Sequence, residues 1–561
     1  MSISAIAAIF IILISAAYFS YGRWISRLLA LDNKRSTPAH KINDGGDFVP
    51  TKTFYLFGQH FSAIAAAGPI AGPIAACLAF GWLPCLLWIA VGVVLIGAVH
   101  DFTSLAASVR HGACSIAEVA KERISSPAGR AMMAFIWIAL VYVIVAFADI
   151  TAGSFVSAVD EIKGVKVDFN PGGAVAAASI FYLLLSIVMG VTKRLFNPPL
   201  WLLTAIFVPA TFVVVYLGTW FSYLFSFDAK TWAILICGYC FVASLCPVWL
   251  LLQPRGYLGG FVLYAALAVG LIGVFFGGYS IQQPAFKGWD VGGLTGSLFP
   301  FLFVTIACGA CSGFHGLVCS GTTSKQIDKE SDMHTIGYGA MLAEGLVAVL
   351  ALSVVMIMSV EDVRGLKPGT IYGNGLGEFL TLIIGKENLP FAITFGAMAF
   401  STFVFDTLDV ATRLGRYLLQ ELLGLTTLVG AALATLITVG APALILSLAG
   451  EGSWLKFWTL FGASNQLLAA LTLLSVTMWL KQSGKPVAFT LVPMIFVLVI
   501  TLWALVDISY SSYQQTTGFD ASLLNAVFSA ILIVLALFVA GQFLLKIKTK
   551  RVEMPGTATS P

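Results

Sequence analysis

The chain has 561 residues, 59% of them hydrophobic and only 10% charged, and its mean hydropathy is +0.93. That much apolar surface exceeds what one water-soluble core buries, so composition excludes a soluble globular protein and places the chain in a lipid bilayer. A net charge of +4 gives no argument for nucleic acid as a partner, because the basic excess follows the membrane topology described next.

A helix needs about 20 apolar residues to cross the hydrocarbon. Fifteen stretches qualify, at approximately 3–30, 57–80, 82–108, 130–158, 173–191, 198–221, 231–252, 256–279, 298–320, 335–359, 388–412, 425–449, 455–480, 487–508 and 521–546. The first lacks a basic start and a small-residue cleavage site, so it reads as a retained helix rather than a signal peptide. Connections are short and leave no sizeable soluble domain. Counted over alternate connections, 23 of the 31 Lys and Arg residues fall on one side. Basic loops stay cytoplasmic, which predicts an N-terminus outside and a C-terminus inside.

The informative spans are those interrupted at mid-depth. In hydrocarbon a broken helix is tolerated only where protein or a water-filled cavity pairs its backbone, and transporters place such breaks at corresponding points of two inverted halves. Gly68, Pro69, Gly72 and Pro73 in GPIAGP mark the second span, and Pro247 marks the seventh. These two run in opposite directions, so the expected plan is an all-α polytopic fold with an inverted five-plus-five repeat. It comprises a peripheral helix and loop over 1–56, repeats over 57–221 and 231–420, peripheral helices over 425–546 and a cytoplasmic tail over 547–561. A second register pairs the second span with the ninth, whose ACGACSGFHGLVCSG is also rich in small residues, and gives seven plus seven.

Polar groups at membrane depth are functional candidates. Gln59 and His60 stand at the cytoplasmic entry of the second span, where a histidine gains or loses a proton near neutral pH, or where both simply bond a neighbouring carbonyl. In GAVHDF, Asp101 either orients His100 or faces Arg110 two to three turns on, unless the pair is an interfacial cap. Asp149 in the fourth span lies on a pathway or reaches the outer headgroups. Glu344 sits about ten residues inside the tenth span, roughly 14 Å from its start, too deep to reach water; it suits proton coupling or a structural hydrogen bond.

Asp406, Asp409, Arg413 and Arg416 are spaced 3, 4 and 3 and share a helix face, as a gate latch or a static anchor. Asn465 and Gln466 read as structural amides between helices. The pairs Cys237/Cys240 and Cys308/Cys311, the latter followed by His315, would suit zinc or copper(I) chemically. No carboxylate or Cys/His-rich loop accompanies them, so no metal is assigned; Ser312 and His315 remain cavity-lining candidates. The nine cysteines suggest no disulfide framework.

Phosphate-binding loops, dinucleotide fingerprints, zinc-protease and serine-hydrolase motifs are absent from the sequence. The expectation is therefore a non-enzyme without a cofactor, whose uphill transport would draw on a proton or sodium gradient.

Several motifs occur together and in order: FGQHFSAIAAAGPIAGP (57–73), LIGAVHDF (95–102), PVWLLLQPRGYL (247–258), LFPFLFVTIACGACSGFHGLVCSGTTSKQ (298–326), GYGAMLAEG (337–345) and DTLDVATRLGRYLLQELLG (406–424). From about residue 30 to 470 the chain resembles the carbon starvation protein A family of bacterial inner-membrane transporters. The resemblance implies uptake of peptides or proton-coupled uptake of pyruvate, and a place in the amino acid-polyamine-cation superfamily with its LeuT-like five-plus-five repeats. Two departures stand out: Gln59 replaces what is often a second histidine, and the connection between the tenth and eleventh spans lacks the large insertion of longer members.

The expected function is a symporter importing small peptides or a small carboxylate such as pyruvate across the bacterial cytoplasmic membrane. The alternative is a membrane sensor that binds the same nutrient without net transport. Its partners are a small ligand and the lipid bilayer; the sequence has no signal of oligomeric state.

Overall fold

The computed structural model describes residues 2–552 except 45–46, 66, 157–160, 163–164, 167, 293–295, 426 and 450–453. Lys163 of the topology count and the tail from 553 lie outside the described residues. Among those described, twelve helices are long and apolar enough to cross a membrane, or thirteen with one bent pair taken as a single span. The only sheet among them is a hairpin pairing Glu161–Ile162 with Val165–Lys166.

In chain order the principal helices are α1 (Ile3–Leu29), the bent pair α2 (Thr53–Ile64) and α3 (Gly68–Phe80), α4 (Trp82–Arg110), α5 (Ser126–Phe155), α6 (Pro171–Phe196), α7 (Leu200–Trp220), α8 (Ala229–Leu245) and α9 (Leu252–Phe276). There follow α10 (Leu298–Thr305), α11 (Gly313–Gly321), α12 (His334–Met356), α13 (Pro368–Ile384), α14 (Leu389–Leu423), α15 (Leu428–Leu448), α16 (Leu455–Gln482), α17 (Ala488–Gln514) and α18 (Ala521–Ile547).

Burial sorts these helices. The most apolar stretch of α1 is 33% buried and that of α7 28%, whereas those of α5 and α14 reach 89% and that of α16 is buried throughout. A helix apolar on all sides faces either lipid or a protein core. α16 occupies the core although its position in the chain suggested a peripheral helix; its Ser464, Asn465, Gln466, Thr472 and Ser475 are all buried. Polar side chains of that density are tolerated at membrane depth only where protein surrounds them.

The segment between the tenth and eleventh expected spans is not a simple loop. Its PGTIYGNGLG run forms the first turns of α13, and the glycines that hid the helix in the sequence are its packing face. A Cβ on Gly373 would lie 3.0 Å from that of Ala397, and one on Gly377 2.8 Å from the Ile393 nitrogen, so α13 and α14 approach almost backbone to backbone. α13 also runs in the same direction as α12: Gly375 lies beside Val354, and further along Tyr279 bonds the Glu378 carbonyl just as Gln282 bonds that of Met356. The chain doubles back over 357–367, and α14 still descends antiparallel to α12.

The breaks fall differently from the sequence expectation. α3 continues through Pro73, and Pro69 sits in its first turn, where a missing N–H would be unpaired anyway; the chain leaves helical geometry just before, at Ala65. Pro247 is exposed in the turn between α8 and α9, two separate helices, rather than inside a span. The second mid-span interruption is instead 306–312, between α10 and α11. The two interruptions cross: a Cβ on Gly68 would strike the Cys308 side chain, and one on Gly72 would lie 2.6 Å from the Thr305 carbonyl oxygen. The break that crosses that of the second span therefore lies in the ninth span and not at Pro247.

Candidate functional site

The interruption at 306–312 exposes backbone that must find partners. Two indoles supply them: Trp458 Nε1 donates to the Thr305 carbonyl and Trp88 Nε1 to that of Ile306, each at 3.1 Å. On the other side of the break Asn465 closes the start of α11. Its Oδ1 accepts from the Phe314 N–H at 2.9 Å, while its Nδ2 approaches Ser312 Oγ at 3.0 Å and Cys308 Sγ at 3.3 Å. The side chain expected to glue two helices thus holds the unwound segment itself. Gln466, next to it, is buried with Nε2 lacking a protein partner among the described residues.

Beyond the break, α11 places His315 between two carboxylates. Asp101 Oδ2 lies 2.9 Å from His315 Nδ1, and Glu344 Oε2 lies 3.2 Å from His315 Nε2. Asp101 Oδ1 in turn meets His100 Nδ1 at 2.7 Å. The result is a line His100–Asp101–His315–Glu344 drawn from α4, α11 and α12, with every side chain at most 1% exposed. Gly316 permits the approach, since a Cβ there would lie 3.2 Å from the His100 ring.

Chemistry constrains the protons in this line. Both imidazoles turn Nδ1 toward Asp101, so an ionised Asp101 takes an N–H from each. His315 Nε2 and Glu344 then need one further proton between them, as imidazolium facing carboxylate or imidazole facing carboxylic acid. The 3.2 Å contact lacks hydrogen-bond alignment, and Glu344 Oε1 and His100 Nε2 have no partner among the described residues. The line is bonded in the middle and open at both ends.

The remaining candidates lie apart from this line or at its edge. His60 is buried and pairs through Nδ1 with Thr323 Oγ1 at 2.8 Å, whereas Gln59 is on the exposed side of α2. Asp149 is half-buried on α5, one turn from Gly153, against which Lys367 packs. Arg110, the possible partner of Asp101, binds Glu330 instead, at 3.0 Å. Cys308 faces Asn465, and both nitrogens of His315 face carboxylates, so Cys308, Cys311 and His315 do not converge as a ligand set among the described residues.

Asp406 and Asp409 do not pair with the arginines of their own helix. Both bind Arg255 of α9, which is 0% exposed: Nη2 reaches Asp406 Oδ1 at 2.7 Å, and Nη1 reaches Asp409 Oδ2 at 2.5 Å and the Tyr239 hydroxyl at 2.6 Å. Arg413 and Arg416, on the same face, bond the carbonyls of Ala243 and Ser244 in the last turn of α8 and of Cys246 just beyond it. The 3–4–3 face of α14 thus grips both ends of the turn containing Pro247. Arg255 was legible only as a lone charge in LLQPRGYL, and Trp88 and Trp458 left no signal beyond their type.

The sequence profile described as Carbon starvation protein CstA matches residues 2–374 and 366–504. The chain is 33% identical over 565 residues to "Peptide transporter CstA" of Helicobacter pylori, covering 87% of this chain and 80% of that one. It is 32% identical to the Bacillus subtilis protein of the same name, with 94% of each covered. It is 30% identical to "Pyruvate/proton symporter BtsT" of Escherichia coli, covering 90% and 81% respectively. Among solved structures, a manganese transporter of Eremococcus coleocola aligns over 91% of this chain and 99% of its own, with 15% identity and a TM-score of 0.45.

Proposed function

The chain belongs to the carbon starvation protein CstA family, and from that membership we propose that it is a proton-coupled secondary transporter importing small peptides or a small carboxylate such as pyruvate. The observation that carries the coupling is the buried line His100–Asp101–His315–Glu344. Four titratable groups in contact at membrane depth are costly to keep unless the protons they exchange are used. Glu344 ends the line next to the crossing of the two breaks, where Gly309 packs on Ala348 one turn further along α12. In this reading substrate binds at the crossing, Glu344 takes or gives the coupled proton there, and His315 passes it to Asp101 and His100.

Alternating access would then turn on the broken pairs α2/α3 and α10/α11, which move without unpairing a continuous helix. The end of α1, Arg110, Glu330 and Lys485 meet at one face of the bundle. Together with the excess of basic residues this supports a cytoplasmic assignment for that face, with the N-terminus outside. The test is uptake of labelled dipeptide and of pyruvate into proteoliposomes under an imposed pH gradient, with and without sodium. Proton-driven accumulation of one of them is expected; binding without accumulation of either would replace transport by sensing.

A further inference from the structure

Among the described residues three helices contain a π-helical turn: Tyr18–Gly22 in α1, Val93–Gly97 in α4 and His334–Gly339 in α12. Such a turn takes one extra residue into the helix and is often found at functional sites. The three converge on one side chain. Tyr338 is 0% exposed, and its hydroxyl donates to the Val94 carbonyl at 3.2 Å, tying the turn in α12 to the turn in α4. Its ring lies against α1 at Gly22, where a Cβ would come within 2.8 Å of it. Phe102 and Tyr21 stand edge-on around it, each with ring centroids 6.5 Å away.

The position of these turns along their helices matters more than their presence. His100 and Asp101 lie three and four residues after Val93–Gly97, and Glu344 lies five residues after His334–Gly339. One inserted residue rotates everything beyond it by about 100°, the angle per residue of a 3.6-residue helix. The π turns therefore set which side of α4 and of α12 faces α11. Without them Asp101 and Glu344 would not both address His315.

We propose that Tyr338 is a positioning residue for proton transfer: by locking the π turn of α12 to that of α4, it holds Asp101 and Glu344 on opposite nitrogens of His315. This rests on the reading of His100–Asp101–His315–Glu344 as the coupling path. Tyr338 touches neither substrate nor the transferred proton; its hydroxyl fixes the relative rotation of the two helices that do.

The experiment compares Tyr338→Phe with wild type in proteoliposomes, using labelled dipeptide and pyruvate as probes. Two quantities are read: the ratio of proton-driven accumulation to counterflow, and the pH at which uptake is half-maximal. Tyr338→Phe keeps the ring and its packing on Gly22, so the ratio is expected to fall about tenfold or more, as small misplacements of reacting groups do, with a displaced pH midpoint. Gly22→Ala, whose Cβ would press on the Tyr338 ring at 2.8 Å and on His334 Nε2 at 2.6 Å, is expected to displace the same midpoint, and His334→Gln, which removes the titratable ring stacked on Tyr338, is expected to leave it in place. Wild-type ratio and midpoint in Tyr338→Phe would overturn the proposal, as would an equal loss of accumulation and counterflow at an unchanged midpoint. Glu344→Gln separates the two levels: if it still accumulates substrate, the coupling path itself is wrong, and if it does not while Tyr338→Phe behaves as wild type, only the positioning role is wrong.

Discussion

His315 meets Glu344 at 3.2 Å through Nε2, joining the short helix beyond one break to the middle of the long helix α12. That contact needs one proton, whichever partner holds it. Glu344→Gln preserves the shape but removes the exchangeable proton, so the accumulation ratio under a pH gradient should collapse toward one. The change is read as steady-state uptake of whichever substrate the wild type concentrates. Undiminished accumulation would take Glu344 out of the coupling path.

Arg255 gives a stability prediction. It is enclosed with Asp406, Asp409 and Tyr239, and removing one partner of a buried ion pair strands the others, at a cost of about 3–5 kcal/mol. Arg255→Leu should therefore lower the unfolding midpoint in detergent sharply. Adding Asp406→Asn and Asp409→Asn should recover much of the loss, because no charge is then left unpaired. Failure of the triple variant to recover any stability would show that the packing of the long side chain, and not its charge, is what matters.

How much of this was legible in the sequence depends on what each residue's neighbours are. Glu344 and His315 stood out because a titratable group in an apolar run has few structural excuses, and depth follows from counting residues. Their meeting was not legible, since it depends on helices distant in sequence and on π turns whose extra residue no periodicity announces. The glycines of α13 misled for a physical reason: glycine lowers hydropathy and helix propensity, yet here it allows close packing on α14. Pro247 misled in the opposite sense, as a proline in a turn looks the same as one in a broken span. The spacing of the charges of α14 puts them on one face, but it could not reveal that their partners lie on α8 and α9.

Trp88 tests whether the unwound segment depends on its indole donors. Trp88→Phe retains most of the ring and leaves the Ile306 carbonyl without its 3.1 Å donor. A buried carbonyl deprived of its bond costs about 1–3 kcal/mol. The break is where substrate is proposed to bind, so apparent affinity should weaken along with stability. A variant that loses stability with wild-type affinity would assign Trp88 to packing alone.

Glu330 supplies the pH prediction at the face that gathers α1, α4 and the loop before α12. Burial pushes its carboxyl up, but hydrogen bonds from Arg110 and the Asp32 N–H, with the charges of Arg110 and Arg35, outweigh burial and hold it below the usual glutamate value. Arg110 Nη2 lies 3.0 Å away, the Asp32 N–H 2.9 Å and Arg35 Nη1 3.4 Å. A carboxyl whose pKa is lower folded than unfolded adds stability that is complete above the unfolded value and is lost as pH falls through the folded one. Glu330→Gln should therefore be less stable than wild type throughout the neutral range, and the two should converge only on acidification below the ordinary carboxylate range. Arg35 is about half exposed, so most of the effect should come from Arg110, whose guanidinium also bonds the Leu29 and Ala30 carbonyls at the end of α1. Thermal unfolding of both proteins across pH checks this; a gap that widens with acidification would mean that Glu330 is not the ionised anchor of this face.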